Sequence, residues 1–233
     1  MSKTDRLFFE PSLFTPAEVA RISGLSQGMQ RDWRSRGYLP KSEKHARFDA
    51  LAVAKLLVMQ KLADRTIGPL ESRAVAAQCA AAVVSQALIW MPEAWSADPV
   101  GIFDNLDPEE QHYAALEYHP PLDHLYGWNK DEEKDQRSAI RFISENEKRD
   151  WIFRSFTHGA NAHWRLSQSP DELIWWCNGD VQFGDYGSIR ESMSPEDPRI
   201  EGAAVILPID GLAMLMVRRA GKPLLNIKHE VAP

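Results

Sequence analysis

The sequence predicts an α+β fold in which a helical N-terminal part is joined by a long helix to a smaller body of strands and helices. Two observations give this prediction. Up to residue 90, apolar residues recur at the three- and four-residue spacing of amphipathic helices, and capping residues precede them. From about residue 163, short apolar runs alternate with turn residues, which is typical of strands. We therefore expect three parts, residues 1–68, 69–90 and 91–233.

The first predicted helix begins after Thr15. Thr15 can cap a helix, Pro16 suits the first helical position, and Glu18 is placed to reach back to the cap. Gly24 ends the helix, because glycine readily adopts the left-handed turn that follows a helix. The predicted apolar face consists of Val19, Ala20, Ile22 and Leu25.

A second helix follows at once. Ser26 caps it, and it runs to about Arg36, where Gly37 closes it. Met29 and Trp33 are four residues apart, so they share a face and are expected to pack into the core. The polar side chains left on the other faces are Gln27, Gln30, Arg31 and Arg34.

A polar loop and a third helix complete the N-terminal part. The loop, residues 41–47, has four basic or His positions among its seven. Asp49 caps the third helix, and Gly68-Pro69 interrupts the helical pattern after it. The predicted buried stripe is Leu51, Ala54, Leu57, Val58 and Leu62.

Residues 70–90 predict a long helix that is rich in Ala and apolar on more than one face. Such a helix must pack against the C-terminal body or against its copy in a second subunit, and we favour the second subunit. The stripe expected in that seam is Val75, Cys79, Ala82, Val83 and Ile89. The apolar runs are too short and interrupted to predict a membrane span.

The C-terminal part mixes helices and strands. Residues 91–136 carry too many aromatic residues for a disordered linker and predict short helices and loops, and residues 145–156 predict a helix. Residues 163–167 and 172–177 flank a turn signal, which predicts a hairpin. A strand at 203–207, a helix capped by Asp210 and ended by Gly221, and a strand at 224–228 are predicted to close the chain.

Charge is distributed unevenly along the chain. The net charge is −6, but residues 1–68 carry +5 and residues 91–136 carry −10. A basic N-terminal part on an acidic body is expected where one end contacts phosphate groups and the rest does not. The two cysteines, Cys79 and Cys177, are far apart in sequence and are predicted to be reduced thiols in the core.

Enzyme and metal chemistry have little support in the sequence. The histidines do not match the spacing of a zinc site, and Cys177 lacks a nucleophile signature. No glycine-rich phosphate loop is present, and residues 178–180 and 184–187 are interpreted as turns. We therefore expect no catalytic site, no metal and no cofactor. The histidines considered were His112, His119, His124, His158 and His163.

The N-terminal part also carries a recognisable pattern. It consists of Glu18-Val19-Ala20, Gly24-Leu25-Ser26, Arg31, Trp33, Gly37, Leu39-Pro40 and Arg47-Phe48. On these positions, residues 14–68 resemble the winged helix-turn-helix of the MerR family of bacterial regulators, over about a quarter of the chain. Two features depart from the family: Met29-Gln30 replaces the usual Thr-Leu, and the wing is short and lacks its opening glycine.

The resemblance implies that Arg31 and Arg34 face the DNA groove or phosphates and that Arg47 contacts DNA from the wing. The chemistry of the residues agrees, since Arg pairs with guanine, Gln pairs with adenine, and basic groups neutralise phosphates. The candidate DNA-binding residues are Gln27, Gly28, Gln30, Arg31, Arg34, Lys41, Lys44, His45 and Arg47.

These observations predict a cytoplasmic, sequence-specific transcriptional regulator of bacterial or phage origin that binds double-stranded DNA as a homodimer. An excisionase-like or small-terminase-like phage factor is one alternative, and a protein-interaction module or an enzyme with a non-DNA-binding head is another. A small-molecule or protein effector is also considered. Trp164, Trp175 and Trp176 either line a pocket for it or form the core of a small sheet.

Overall fold

The computed structural model describes residues 6–40, 46–106, 111, 144–157, 170–200 and 202–230. It combines helices with antiparallel strands, which confirms the α+β class. The helices are α1 (Pro16–Ser23), α2 (Gln27–Ser35), α3 (Ala50–Ala63), α4 (Pro69–Trp90), α5 (Pro99–Asp104), α6 (Glu145–Thr157), α7 (Tyr186–Glu191) and α8 (Ile209–Ala220), with a 3₁₀ turn at Pro92–Ala94. The strands are β1 (Arg6–Pro11), β2 (Glu172–Trp176), β3 (Val181–Phe183), β4 (Ala204–Pro208) and β5 (Leu225–Glu230).

The predicted caps of the first three helices are confirmed. Thr15 and Glu18 form a reciprocal capping box at the start of α1, and Gly24 ends that helix with φ 83°. The side chain of Ser26 accepts a hydrogen bond from the Met29 N–H, so it caps α2. Asp49 caps α3 in the same way, through the Ala52 N–H. These ends are local features, and the sequence is sufficient to specify them.

The orientation of α2 differs from the prediction. Met29 is 41% exposed, so its expected place in the core is wrong, whereas Trp33 is buried as expected. Gln30, three residues before Trp33, occupies the buried position instead. The amide nitrogen of Gln30 donates to two carbonyl acceptors inside the protein, whereas its Oε1 has no hydrogen-bond partner there.

Helix α4 lies in the core of its own chain. It packs against α3, α6 and α8, and Cys79 and Val83 are fully buried there. The expected seam between two subunits along this stripe is therefore wrong. Burial also raises the pKa of the Cys79 thiol to about 12, because a thiolate there would lose its hydration.

The same helix corrects the expectation about membrane spans. By length and composition alone, Pro69–Trp90 could cross a bilayer. In the structure, 56% of its most apolar window is buried against the rest of the protein. This burial is typical of a core helix, and one such candidate among the described residues is weak evidence for a membrane protein.

The described residues form two sheets, one of which joins the two ends of the chain. Strand β1, which the sequence analysis did not predict, pairs antiparallel with β5. Strand β2 lies between β3 and β4 in a separate antiparallel sheet, so β4 and β5 belong to different sheets. Buried residues of α1, α3, α4 and α8 form one continuous hydrophobic cluster. The expected N-terminal and C-terminal parts therefore share one core.

Several details of the C-terminal part differ from the expectations. The hairpin that the structure describes joins β2 to β3 through a turn at residues 177–180, while the expected first arm, 163–167, lies outside the described residues. The segment 184–187 is more than a turn, since Asp185 caps α7. Asp210 lies in the first turn of α8 and is not its cap, because that helix begins one residue earlier.

Candidate nucleic-acid interface

The contact between α1 and α2 depends on Gln30. Its Nε2 donates to the carbonyl oxygens of Pro16 at 3.0 Å and Leu25 at 2.9 Å. These two hydrogen bonds link the start of α1 to the turn before α2, and the side chain that makes them is 1% exposed. The expectation that Gln30 contacts DNA is wrong, because its donors are used inside the protein. Through these hydrogen bonds, Gln30 holds α2 against α1.

The opposite face of α2 is open to solvent. Gln27, Gly28 and Arg31 are exposed, and Arg34 is half-buried. The Nε of Arg34 donates to the carbonyl oxygen of Pro40 at 3.2 Å, which orients its guanidinium at the end of the helix. Four of the five α2 positions proposed from the sequence therefore remain available to a partner on this face.

The charge on this face is mainly unpaired. Arg36, which sequence reasoning did not select, forms an exposed ion pair with Asp32 at 3.0 Å. Within the part of the chain that the structure describes, Arg31, Arg34 and Arg47 have no carboxylate partner. Exposed pairs such as Arg36–Asp32 contribute little to stability, so Arg36 can exchange its partner for a phosphate at low cost.

The end of the basic loop, residues 41–47, lies beside the start of α1. Of its candidate residues, Lys41, Lys44 and His45 lie outside the described residues. Arg47 is exposed at the end of the loop. The next residue, Phe48, exchanges two backbone hydrogen bonds with Phe14, at 2.7 and 3.0 Å. This short bridge fixes the end of the loop next to the start of α1.

Other basic residues of this region are used in packing. The Nη2 of Arg21 donates to the carbonyl oxygen of Ala220 at 2.8 Å, and the Nη1 of Arg219 donates to that of Ile22 at 3.2 Å. Each arginine thus satisfies a carbonyl group near the C-terminal end of the other helix. These two guanidinium groups hold α1 against α8, so we assign the free positive charge of this region to α2 and the loop.

The tryptophan pocket is not supported by the geometry. Trp164 lies outside the described residues. Trp175 and Trp176 are neighbours on β2, so their side chains point to opposite faces of the sheet. Trp176 is buried, donates through Nε1 to the Gln182 side chain at 3.0 Å and packs on Tyr186. The expectation that these two residues line one pocket is therefore wrong.

The sulfur and metal expectations have mixed outcomes. Cys79 and Cys177 are both free thiols, but Cys177 is exposed, so its expected place in the core is wrong. The five histidines weighed as ligands lie outside the described residues. Among the residues that are described, no group of three His, Cys, Asp or Glu side chains is arranged to hold a metal ion.

Comparisons with known proteins add no assignment. No protein-family model, no curated protein and no solved structure matches this chain.

Proposed function

We propose that this chain is a sequence-specific DNA-binding transcriptional regulator of bacterial or phage origin, which acts in the cytoplasm. In this proposal α2 enters the major groove and the basic loop, residues 41–47, contacts the phosphate backbone. One observation carries the proposal. On one side of α2, Gln30 and Trp33 are buried in the protein, and on the other side Gln27 and Arg31 are exposed to solvent.

The exposed groups suit a groove. An α-helix fits the width of the major groove, where Arg can donate two hydrogen bonds to guanine and Gln can pair with adenine. Arg31 has no intramolecular ion pair within the described residues that would have to be broken first. Ser26 uses its side chain to cap the helix, so the N-terminal turn of α2 is ordered before any DNA is bound.

The DNA would meet only one side of the molecule. The exposed basic residues proposed to contact DNA, Arg31 and Arg47, lie on α2 and after the loop, while the segment 91–136 carries a net charge of −10. Phosphate groups repel such a segment, so we assign it to surfaces away from the duplex. In this proposal, the protein therefore binds DNA in one orientation.

A homodimer is part of the proposal, since a single small reading unit offers too little contact for a specific site. Two units on a palindrome gain affinity through effective concentration. Because Val83 and Cys79 are buried within their own chain, the dimer contact cannot be the stripe of α4. We assign it to another surface, which light scattering with surface variants would locate.

The proposal is tested with the full chain and genomic DNA. Fragments retained by the protein are sequenced, and the recovered sites are then titrated by fluorescence anisotropy over a range of salt concentrations. We expect a shared sequence among the fragments and an affinity that falls steeply with salt, because phosphate contacts release counterions. An affinity for DNA that does not change with salt concentration contradicts the proposal. Retention of fragments without a common sequence also contradicts it. Arg190→Ala, on α7, is the control variant and should bind normally.

A further inference from the structure

A cleft of about 660 Å³ opens where α4 ends and where β2 and α8 begin. It lies outside the surface proposed for DNA and outside the tryptophan pocket expected from the sequence. Its volume is in the range of sites that hold small organic ligands. The residues that give it its character are Gln86, Trp90, Asp171, Glu172, Asp210 and Met214.

Two large apolar side chains that line the cleft are exposed. Trp90 is 58% exposed and Met214 is 40% exposed, although both belong to helices that bury most of their apolar residues. An exposed indole offers a flat face with negative electrostatic potential. Such a face attracts an organic cation more strongly than a neutral group of the same shape.

Three of the lining residues are acidic. They are Asp171, Glu172 and Asp210, and no described Lys, Arg or His side chain is among the lining residues. Glu172 uses one oxygen to accept the Tyr186 N–H, and Asp210 accepts the Gly211 N–H. None of the three carboxylates has a cationic partner within the described residues. Within the described residues, the cleft therefore carries negative charge that no cation compensates, beside an aromatic face.

We infer that this cleft binds an organic cation, namely a primary or quaternary ammonium group joined to an apolar body. The ammonium group would lie between the carboxylates and the indole of Trp90, and the apolar body would contact Met214. Charge complementarity selects this occupant, since a nucleic acid or another anion would be repelled by the three acids. The described residues also contain no three-ligand group for a metal ion, which argues against an inorganic cation.

Matched probes test the inference directly. The full chain is titrated by calorimetry with benzylammonium, benzyl alcohol and phenylacetate, which share a ring and differ in charge. We expect the cation to bind at least tenfold more tightly than the alcohol and phenylacetate to show no binding. Equal affinities for the cation and the alcohol, or no cation binding at about 10 mM, a concentration still useful for weak ligands of this size, overturn the inference.

Variants then assign the binding to this cleft. Asp171→Asn and Asp210→Asn should each weaken benzylammonium binding at least threefold, and Trp90→Leu should do the same while Trp90→Phe retains most of the affinity. Glu196→Gln, an exposed acid outside the cleft, removes the same charge and should leave binding unchanged. If Glu196→Gln weakens binding as much as Asp210→Asn, the cation responds only to net charge and the site is rejected. None of these measurements uses DNA, so the inference stands or falls independently of the proposed function.

Discussion

Glu18 accepts a hydrogen bond from the Nζ of Lys222 at 2.7 Å, which joins positions 204 residues apart. Glu18 also closes the capping box with Thr15 at the start of α1. Lys222 follows the end of α8, donates to the carbonyl oxygen of Leu13 and lies over the ring of Phe14. One carboxylate thus ties the first helix of the chain to the last.

This contact predicts a pH-dependent contribution of Glu18 to stability. The hydrogen bond from Lys222, followed by that from the Thr15 N–H, lowers the pKa of Glu18 from 4.5 to about 2. Because the folded state holds the carboxylate in its charged form, the contribution is complete above pH 4.5 and is lost as the pH falls towards 2.

Glu18→Gln is therefore expected to lower the free energy of unfolding by about 1–2 kcal/mol at pH 7, as for a partly exposed charged hydrogen bond. The difference from the natural protein should shrink steadily below pH 4.5. Urea unfolding at pH 7, 4 and 3 measures it. Lys222→Met and the double variant complete a cycle, and simple additivity of the two changes would contradict a direct interaction.

Gln30→Met should destabilise the fold, whereas Gln27→Met should not. Replacing Gln30 leaves the carbonyl groups of Pro16 and Leu25 without its donors, which is expected to cost about 1–3 kcal/mol. Gln27 is exposed on the same helix, so its replacement should change stability by less than about 0.5 kcal/mol. Denaturant unfolding compares the two, and equal effects would show that Gln30 does not hold α2.

Local features of the sequence were sufficient to predict the helices of the N-terminal part. The caps at Thr15, Ser26 and Asp49 involve residues three positions away, so their patterns are visible without knowledge of the fold. Strand β1 was not predicted, because its only described strand partner, β5, lies at the other end of the chain. Its pairing is a long-range contact that residue patterns do not reveal.

The candidate site was predicted only in part, again because residue patterns do not reveal contacts between separate elements. A polar side chain on a helix is expected to face solvent, so the sequence alone predicts that Gln30 contacts DNA together with Gln27 and Arg31. Only the folded turn between α1 and α2 creates two carbonyl acceptors at the right distance for Gln30. The packing of α4 is similar, because an apolar stripe indicates burial without indicating which surface covers it.

Val83→Glu should unfold the protein. Val83 is fully buried within its own chain, so the substitution places a carboxylate among apolar side chains, at an expected cost of about 4 kcal/mol or more. Ala77→Glu, at an exposed position of the same helix, is the control and should leave the fold intact. Circular dichroism with light scattering distinguishes the outcomes. If the natural protein is a dimer and Val83→Glu is a folded monomer, the dimer contact would instead lie along α4.

Arg31→Ala and Arg47→Ala should affect DNA binding in different ways. Arg31 faces solvent from the middle of α2, so its loss should cost about 1–3 kcal/mol at the preferred sequence and less at other sequences. Arg47 lies at the end of the basic loop, so its loss should weaken binding to all sequences and reduce the salt slope by about one unit. Anisotropy titrations with specific and unrelated duplexes compare them. A change in sequence preference with Arg47→Ala would assign base contacts to the loop.

Gly28→Ala should stabilise the fold and weaken DNA binding. A Cβ at Gly28 would meet only the Ser26 Oγ, at 3.8 Å, so the protein itself leaves room for a methyl group. Since Gly in a helix is less favourable than Ala by about 0.5–1 kcal/mol, the change should raise the melting temperature. If the first turn of α2 approaches the DNA backbone closely, the added methyl group should reduce affinity at least threefold. Thermal melting and a binding titration of the same preparation measure both effects.

Unchanged affinity in a stabilised Gly28→Ala protein would mean that this turn does not approach the duplex. Helix α2 would then have to contact DNA through its C-terminal half, where Arg34 and Arg36 lie.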